Sequence, residues 1–422
     1  MGLEFEINRP DARVFRRAFI KRRQTSNGKY ETNWFEITKY VKKWGSYSRN
    51  VDAIRLNRFV HSGANLKVRN DTGAFNPEDN QTSLWSGYMT RYRTLLKIEA
   101  GYWDDDQTEL PTDTTLGVFI MNDEIPISGV TNEATIKAKS LSSVLSEVRA
   151  SDVAGITTTL TANQIIGSIR DHTDGSGNFY LREFITSTSW TIQTTTNSYF
   201  FGTTTAFGSM SCWDLMEKLA ETEGYLLLIN RSGGIEFRNR DERTTTSQFS
   251  FRGLGFNEMS VIRLNEYKEP LNKLYTYFRL KYLTADTSTS YVTAGSTSSV
   301  DPSSTAWKYG SRQYDFSFEF ANNTTAAQNI VNNLFNTFSV LKDEVNILTK
   351  LAPQLEISDK VTLSYRSYDL ANTVLWNLFK WDEVLFPTES GENFDFNNVN
   401  FKLLSVNHDL DNFTSSFQMR EI

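Results

Sequence analysis

LEFEI (residues 3–7) alternates apolar and acidic side chains, the period of a half-buried strand. RVFRRAFIKRRQ follows, with Val14, Phe15, Phe19 and Ile20 as its apolar positions. Helix and strand both fit that run, and strand is preferred. The turn TSNG and the run YETNWFEIT predict the returning strand. VDAIRLNRFV, ANLKVRN, YRTLLKIEAGYW and GVFIMNDEIPIS continue the strand pattern. ATIKAKSLSSVLSEV changes period within itself: Ala134, Ile136 and Ala138 alternate, whereas Leu141, Val144 and Leu145 recur at helical spacing. Residues 1–150 therefore predict a barrel-like array of antiparallel strands with a short closing helix.

Residues 151–250 read differently. In LTANQIIGSIRDH, Thr161 precedes Gln164 by three residues, a capping box, and Leu160 with Ile165 forms a hydrophobic staple. Ile165, Ile166 and Ile169 make the buried face. SCWDLMEKLAETEGYLLLINRSGGIEFRNRD is the best-formed unit of the chain. Ser211 caps a helix, Asp214 meets the positive end of its dipole, and Gly224 stops it. Cys212, Met216, Leu219 and Ala220 line one face. YLLLIN and IEFRNR then form a hairpin around SGG.

From about residue 251 strands resume in VIRLNEY and KLYTYFRLKYL. Residues 284–306 are rich in Ser, Thr and Gly, which predicts a mobile surface loop. TAAQNIVNNLFNTFS predicts a helix over 325–339, capped by Thr325 with Gln328 and buried at Ala327, Ile330, Val331, Leu334 and Phe338. QLEISDKVTLSYR, VLWNLFKWDEVLF and a terminal hairpin, FKLLSVNHDLDNFTSSFQMREI, complete the chain.

Composition supports the β bias. The chain has 422 residues, 13% of them aromatic, with 29 Phe. One cysteine, Cys212, excludes an intrachain disulfide and a cysteine-based metal site. His61, His172 and His408 lie too far apart for a zinc pair. No apolar run approaches the roughly 18 residues that span a bilayer, so no stable membrane insertion is expected. The N-terminus has neither a secretory core nor a myristoylation motif, which predicts a soluble product of a reducing cytoplasm.

Net charge is −6 but uneven. Residues 1–60 hold fourteen Lys/Arg against six Asp/Glu; residues 101–150 hold three against nine, and 351–422 five against eleven. Arg16, Arg17, Lys21, Arg22, Arg23, Lys42 and Lys43 are the candidates for a channel lining or an interface. Nucleic-acid binding is one reading of that basic start. Complementarity between domains or subunits is favoured, because the cations interleave with strand positions.

Catalytic patterns are missing. No P-loop, GxGxxG, GxSxG or HExxH occurs, and paired carboxylates discriminate nothing among 50 Asp/Glu. WDDDQTELPTD (103–113) and DHTDGSGN lack the calcium-loop rhythm. Cys212 at a helix start invites a lowered pKa, but its apolar face predicts a buried thiol. Trp34, Trp44, Trp85 and Trp103 suggest a glycan platform, with core packing as the favoured alternative. No catalytic residue, cofactor or metal is assigned.

The segment VRNDTGAFNPED concentrates turn residues around Phe75. It reads as a strand exit: Gly73 takes a conformation side chains disfavour, Phe75 pins the loop, and Pro77 stiffens its far side. Asn70-Asp71-Thr72-Gly73-Ala74-Phe75-Asn76-Pro77 resembles the N-x-x-G-x-F-x-P signature of tail hub or tail-tip proteins of tailed bacteriophages. Upstream, Trp34 to Val41 is similar to that family's W-x-x-I/V-T-x-x-V element. The helix and hairpin over 211–241 and the terminal hairpin match in order. Pro353 to Val361 resembles P-x-L-x-x-G-D-x-V through Leu355, Ile357, Asp359 and Val361; Ser358 stands where the pattern has Gly, which leaves the turn type open.

The resemblance spans almost the whole chain. It implies a mainly β fold with α+β elements: two tube-like antiparallel β-barrel domains plus smaller α/β domains. The expected boundaries are 1–150, 151–250 and a discontinuous 251–422. It further implies a non-enzymatic virion protein, a homotrimeric baseplate hub. Such a hub adapts the hexameric tail tube or distal tail protein to a threefold central spike or fibre, and DNA passes through it transiently. A receptor- or glycan-binding tail-tip protein is the alternative; a wall-degrading enzyme is a weaker third.

Overall fold

A computed structural model describes residues 13–26, 29–51, 59–61, 63–76, 81–88, 94–103, 115–121, 125–156, 160–173, 190–199, 209–239, 247–253, 260–283, 288–298, 300–318, 324–366 and 395–422. The expected strands LEFEI and VLWNLFKWDEVLF, the acidic run 104–113 and Pro77 lie outside the described residues.

The first section contributes β1 (Val14–Lys21), β2 (Phe35–Glu36), β3 (Val41–Lys43), β4 (Ser46–Val51), β5 (Phe59–His61), β6 (Ala64–Arg69), β7 (Thr94–Tyr102), β8 (Thr115–Met121), β9 (Ile127–Ser128), β10 (Glu133–Ser140) and helix α1 (Ser142–Glu147). The middle adds β11 (Leu160–Thr161), α2 (Ala162–Arg170), β12 (Thr191–Ile192), β13 (Ser198–Tyr199), α3 (Cys212–Glu223), β14 (Tyr225–Ile229) and β15 (Ile235–Asn239). The last section holds β16 (Ser247–Arg252), β17 (Val261–Lys268), β18 (Tyr277–Leu283), β19 (Thr289–Gly295), α4 (Thr305–Tyr309), β20 (Gln313–Phe318), α5 (Thr324–Phe338), β21 (Glu344–Lys350), β22 (Lys360–Arg366), β23 (Asp395–Asp409) and β24 (Thr414–Glu421).

Two eight-stranded sheets dominate, so the fold is mainly β with α+β elements. The main path of the first sheet runs β2-β1-β7-β8-β10-β6-β3. Its two edges are neighbours in sequence: residues 37–40 alone separate β2 from β3. That link spans at most about 18 Å, whereas seven flat strands would put the edges about 29 Å apart. The sheet must therefore roll up. The second sheet runs β16-β22-β23-β24-β21-β17 and is antiparallel except where β16 lies parallel to β22. Its edges also meet: Ser260 N donates to Arg252 O at 2.9 Å, and Arg252 N to Ser260 Oγ at 3.0 Å.

Sheet membership does not follow the chain order. β4, from the first section, pairs with β23 of the second barrel, Ser46 to Asn50 against Asp409 to Ser405. β23 is long enough to take β22 and β4 in succession along one edge. A continuous hydrophobic core consequently joins both barrels, from Ile20, Leu66 and Ile98 to Phe251, Phe401 and Phe417.

The middle section forms as its sequence predicts. Ser211 Oγ accepts from Asp214 N at 3.1 Å, and Gly224 ends α3 at φ +68°. Thr161 N donates to Gln164 Oε1 at 2.9 Å, the backbone half of the α2 capping box. β14 is apolar throughout because both faces are covered. Leu227 and Ile229 join the α2 and α3 core, while Leu226 and Leu228 enter the barrel core.

The loop expected over 284–306 is corrected. Residues 289–295 form β19, paired in full register with β18, and 305–309 form α4. Low complexity hid a strand because Thr is β-branched and a single apolar residue, Val292, suffices to seat it. α5 covers that sheet with Ala327, Ile330, Val331 and Phe338; Leu334 is half-buried.

Candidate functional site

The chain brings its polar machinery to the places where the barrels and the α/β section meet. At the first, the chain crosses from β3 to β4 through Trp44 and Gly45. The carboxylate of Asp411, in the β23–β24 turn, accepts Trp44 N at 3.0 Å and Gly45 N at 3.1 Å. Arg16 of β1 donates to Leu410 O and lies over Trp44 and Phe413, at 5.2 and 4.8 Å from their ring centroids. Burial lowers its pKa and Asp411 opposes that shift. Tyr102 OH donates to Leu351 O at 2.7 Å and ties β7 to the second barrel.

At the second, the β14–β15 turn docks on both barrels. Glu356 Oε1 accepts Arg231 N at 2.9 Å, Arg231 Nε at 3.1 Å and Arg49 Nη1 at 3.2 Å. Arg49 belongs to β4, so one carboxylate oxygen joins three parts of the chain. A cavity of about 20 Å³ lies against Arg49, Arg231 and His408, room for one water. Burial, then the charges of Arg49 and Arg231, depress the His408 pKa to about 3. The ring is neutral, and its Nδ1 lies 2.8 Å from Ser415 Oγ. Ser415 Oγ also accepts from Ala352 N at 2.9 Å.

The signature residues close turns. Asn70 is buried: its Oδ1 accepts from Phe75 N and its Nδ2 donates to Asn76 Oδ1, both at 2.8 Å. Gly73 sits at φ +71°, where an added Cβ would meet Asn76 Nδ2 at 2.8 Å and Thr82 Oγ1 at 2.9 Å. Phe75 is fully buried between Tyr40 and Trp85, with centroids at 5.4 and 5.9 Å. Upstream, Thr38 Oγ1 accepts from Ala18 N at 3.0 Å and Ile37 is fully buried. In the second barrel Asp359 Oδ2 accepts from Glu356 N at 2.7 Å, and Ser358 adopts φ +71°. The serine thus takes the left-handed turn that glycine would take.

The basic residues are spent largely on aromatic rings. Arg17 lies over Phe15 and Trp103, Lys21 over Trp34 and Arg23 over Tyr30. Buried Arg22 forms a two-pronged pair with Glu31, at 2.8 and 2.7 Å, and stacks on Tyr88 at 3.9 Å. Lys42 pairs with Glu133 at 2.8 Å; Lys42 and Lys43 are exposed. Trp44 and Trp85 are core residues, as the packing alternative expected. Burial raises the Cys212 thiol to about 12, with Asp152 adding to the shift, so it is not a reactive thiolate. Among the described residues no cluster of His, Cys, Asp and Glu is arranged to hold a metal.

Two solved structures share this architecture end to end. The prophage tail protein gp18 from Listeria monocytogenes EGD-e is 13% identical, covering 96% of this chain and 94% of its own, with a TM-score of 0.51. The tail protein from Neisseria meningitidis MC58 is 7% identical over 96% of each chain, with a TM-score of 0.52. The chain has the fold of these tail proteins. No protein-family model matches it, and no curated protein does either.

Within the tail-protein fold, sequence reasoning located the turn residues but missed Arg49, Arg231, Glu356 and Asp411. Each acts on a partner distant in sequence. Their surroundings gave no local signal: Arg49 sits in SYSRNV, Arg231 in NRSGG and Asp411 in HDLDNFT, polar stretches in which a charge is ordinary.

Proposed function

We propose that the chain is a structural protein of a phage-type tail, a homotrimeric hub in the baseplate or tail tip. The observation that carries this reading is the fold shared with two tail proteins over nearly the full length of all three chains. In this role three subunits present two barrels each. They form a pseudo-sixfold ring toward the hexameric tail tube or distal tail protein and a threefold face toward a central spike or fibre. DNA crosses the ring transiently. The protein is made in the host cytoplasm, acts in the virion tail and is not an enzyme. The division into a first barrel (1–150), an α/β section (151–250) and a discontinuous second barrel (251–422) belongs to the same proposal. Exposed Lys42 and Lys43 are its candidates for a subunit or channel contact.

Mass photometry and negative-stain imaging of the purified chain test the reading. Three chains of 48.3 kDa give a particle of about 145 kDa with threefold averages. A monomer at every concentration, together with absence from virions by immunogold labelling, would sink it.

A further inference from the structure

Three neighbouring strands of the first barrel, β3, β6 and β10, turn a block of cations to solvent. Leu66, Val68, Ala134 and Ile136 fill the core, and the alternation of a strand sends the residues between them outward. Lys67 is the centre of the block. Lys43 stands directly opposite it on β3, Arg69 lies two residues along β6, and Lys137 is its diagonal neighbour on β10. Strand geometry puts the bases of these side chains about 5–8 Å from that of Lys67. All four are exposed. The carboxylate on this face, Glu133, stands opposite Arg69 and pairs with Lys42 at 2.8 Å. Lys139, at the end of β10, is engaged as well. Lys43, Lys67 and Lys137 form no ion pair among the described residues.

Like charges set opposite each other destabilise a sheet. Lysines on an edge strand guard against the addition of a foreign strand. That account covers β3 but not β6 or β10, each of which has a strand on both sides. A subunit contact fits poorly too. Protein interfaces are rich in aromatic side chains, Met and Arg and poor in Lys, whereas the outward positions of β3, β6 and β10 hold no aromatic residue and no Met. Lysine without aromatic anchors is the chemistry of phosphate contacts, which hold a nucleic acid without reading its sequence. A DNA duplex offers the matching array of anions, one per about 1.7 Å of its axis.

We propose that this face of β3, β6 and β10 binds the phosphate backbone of duplex DNA, with Lys43, Lys67, Arg69 and Lys137 as the contacting cations. The proposal rests on the tail-hub reading for the source of that DNA, and it assigns Lys43 to a channel contact rather than a subunit contact. Weak, sequence-independent and salt-sensitive binding is what a surface that DNA moves across requires.

Fluorescence anisotropy of two labelled duplexes of unrelated sequence, titrated with the full chain between about 50 and about 200 mM salt, tests this. Both duplexes should bind alike. The logarithm of the binding constant should fall with log salt at a slope of about −3 to −4, from contacts worth roughly −0.9 each. The triple variant Lys43→Gln, Lys67→Gln, Lys137→Gln should lose at least about tenfold in affinity at the lowest salt and flatten the slope by about three. Its substitutions are all exposed, so it should keep the wild-type fold. Mass photometry of the same samples separates the two readings. A wild-type monomer that binds with the expected slope ends the hub reading and leaves the DNA face standing. A variant that breaks up a wild-type trimer of about 145 kDa makes the face a subunit contact and overturns the proposal. Affinity weaker than about 1 mM at the lowest salt, or an unchanged slope in the triple variant, also overturns it.

Discussion

The turn after β6 in the first barrel and the turn before β22 in the second solve one backbone problem with different chemistry. Both place a residue at φ +71°, and both close with a side-chain oxygen that accepts a backbone N–H. The first stays within its own barrel: Phe75 packs on Tyr40, and Asn70 N donates to Asn132 O at 2.8 Å. Asn70, Gly73, Phe75, Asn76 and Ser83 bond or pack among themselves and onto Trp85. The second faces outward: the same short turn exposes Glu356 to Arg49 and Arg231, which belong to other parts of the chain. A turn that only shapes its own barrel demands glycine and a buried ring. A turn that docks neighbours tolerates serine at the strained position, because its stability comes from beyond itself.

The largest predicted effects set local against long-range stabilisation. Glu356→Ala leaves two guanidinium groups without their carboxylate and lowers stability by about 3–5 kcal/mol. Phe75→Ala empties a fully buried site at a cost of about 3–5 kcal/mol. Urea denaturation of each, alone and combined with Arg231→Met, separates them. Glu356→Ala should be strongly non-additive with Arg231→Met, and Phe75→Ala additive within about 0.5 kcal/mol. Additivity in both cycles would break the comparison.

Gly73→Ala comes next. It forces a Cβ into the left-handed region and against Asn76 and Thr82, and a loss of about 2–3 kcal/mol is expected in the same assay. The mirror change, Ser358→Gly, removes strain instead and should gain about 1 kcal/mol, read as a higher urea midpoint with an unchanged slope. A loss at Ser358→Gly would mean that its side chain, not its backbone, holds the second turn.

Local patterns carried much of the fold. The α3 helix with its hairpin was legible because Ser211, Asp214 and Gly224 mark its ends and YLLLI its buried strand. The Asn70 loop was legible because left-handed backbone and buried aromatics leave few residue choices. β19 was not, since Thr289–Gly295 buries one large apolar side chain and pairing with β18 does the rest. The crossing of β4 was equally hidden. SYSRNV alternates like any strand, and nothing within it tells which sheet will accept it. The partners of the basic N-terminal residues were hidden for the same reason. Trp103, Tyr88 and Leu410 lie far along the chain, so the charges looked unclaimed.

That crossing strand also sets how the molecule bears load. Tension pulling the first barrel away from the second along β4 meets its pairing with β23 in shear, so the ladder from Ser46 to Asn50 must yield as a set rather than one bond at a time. A strand that leaves the first section to pair within the second barrel ties the two together, and Asp411 clamps the backbone on both residues of the Trp44–Gly45 crossing.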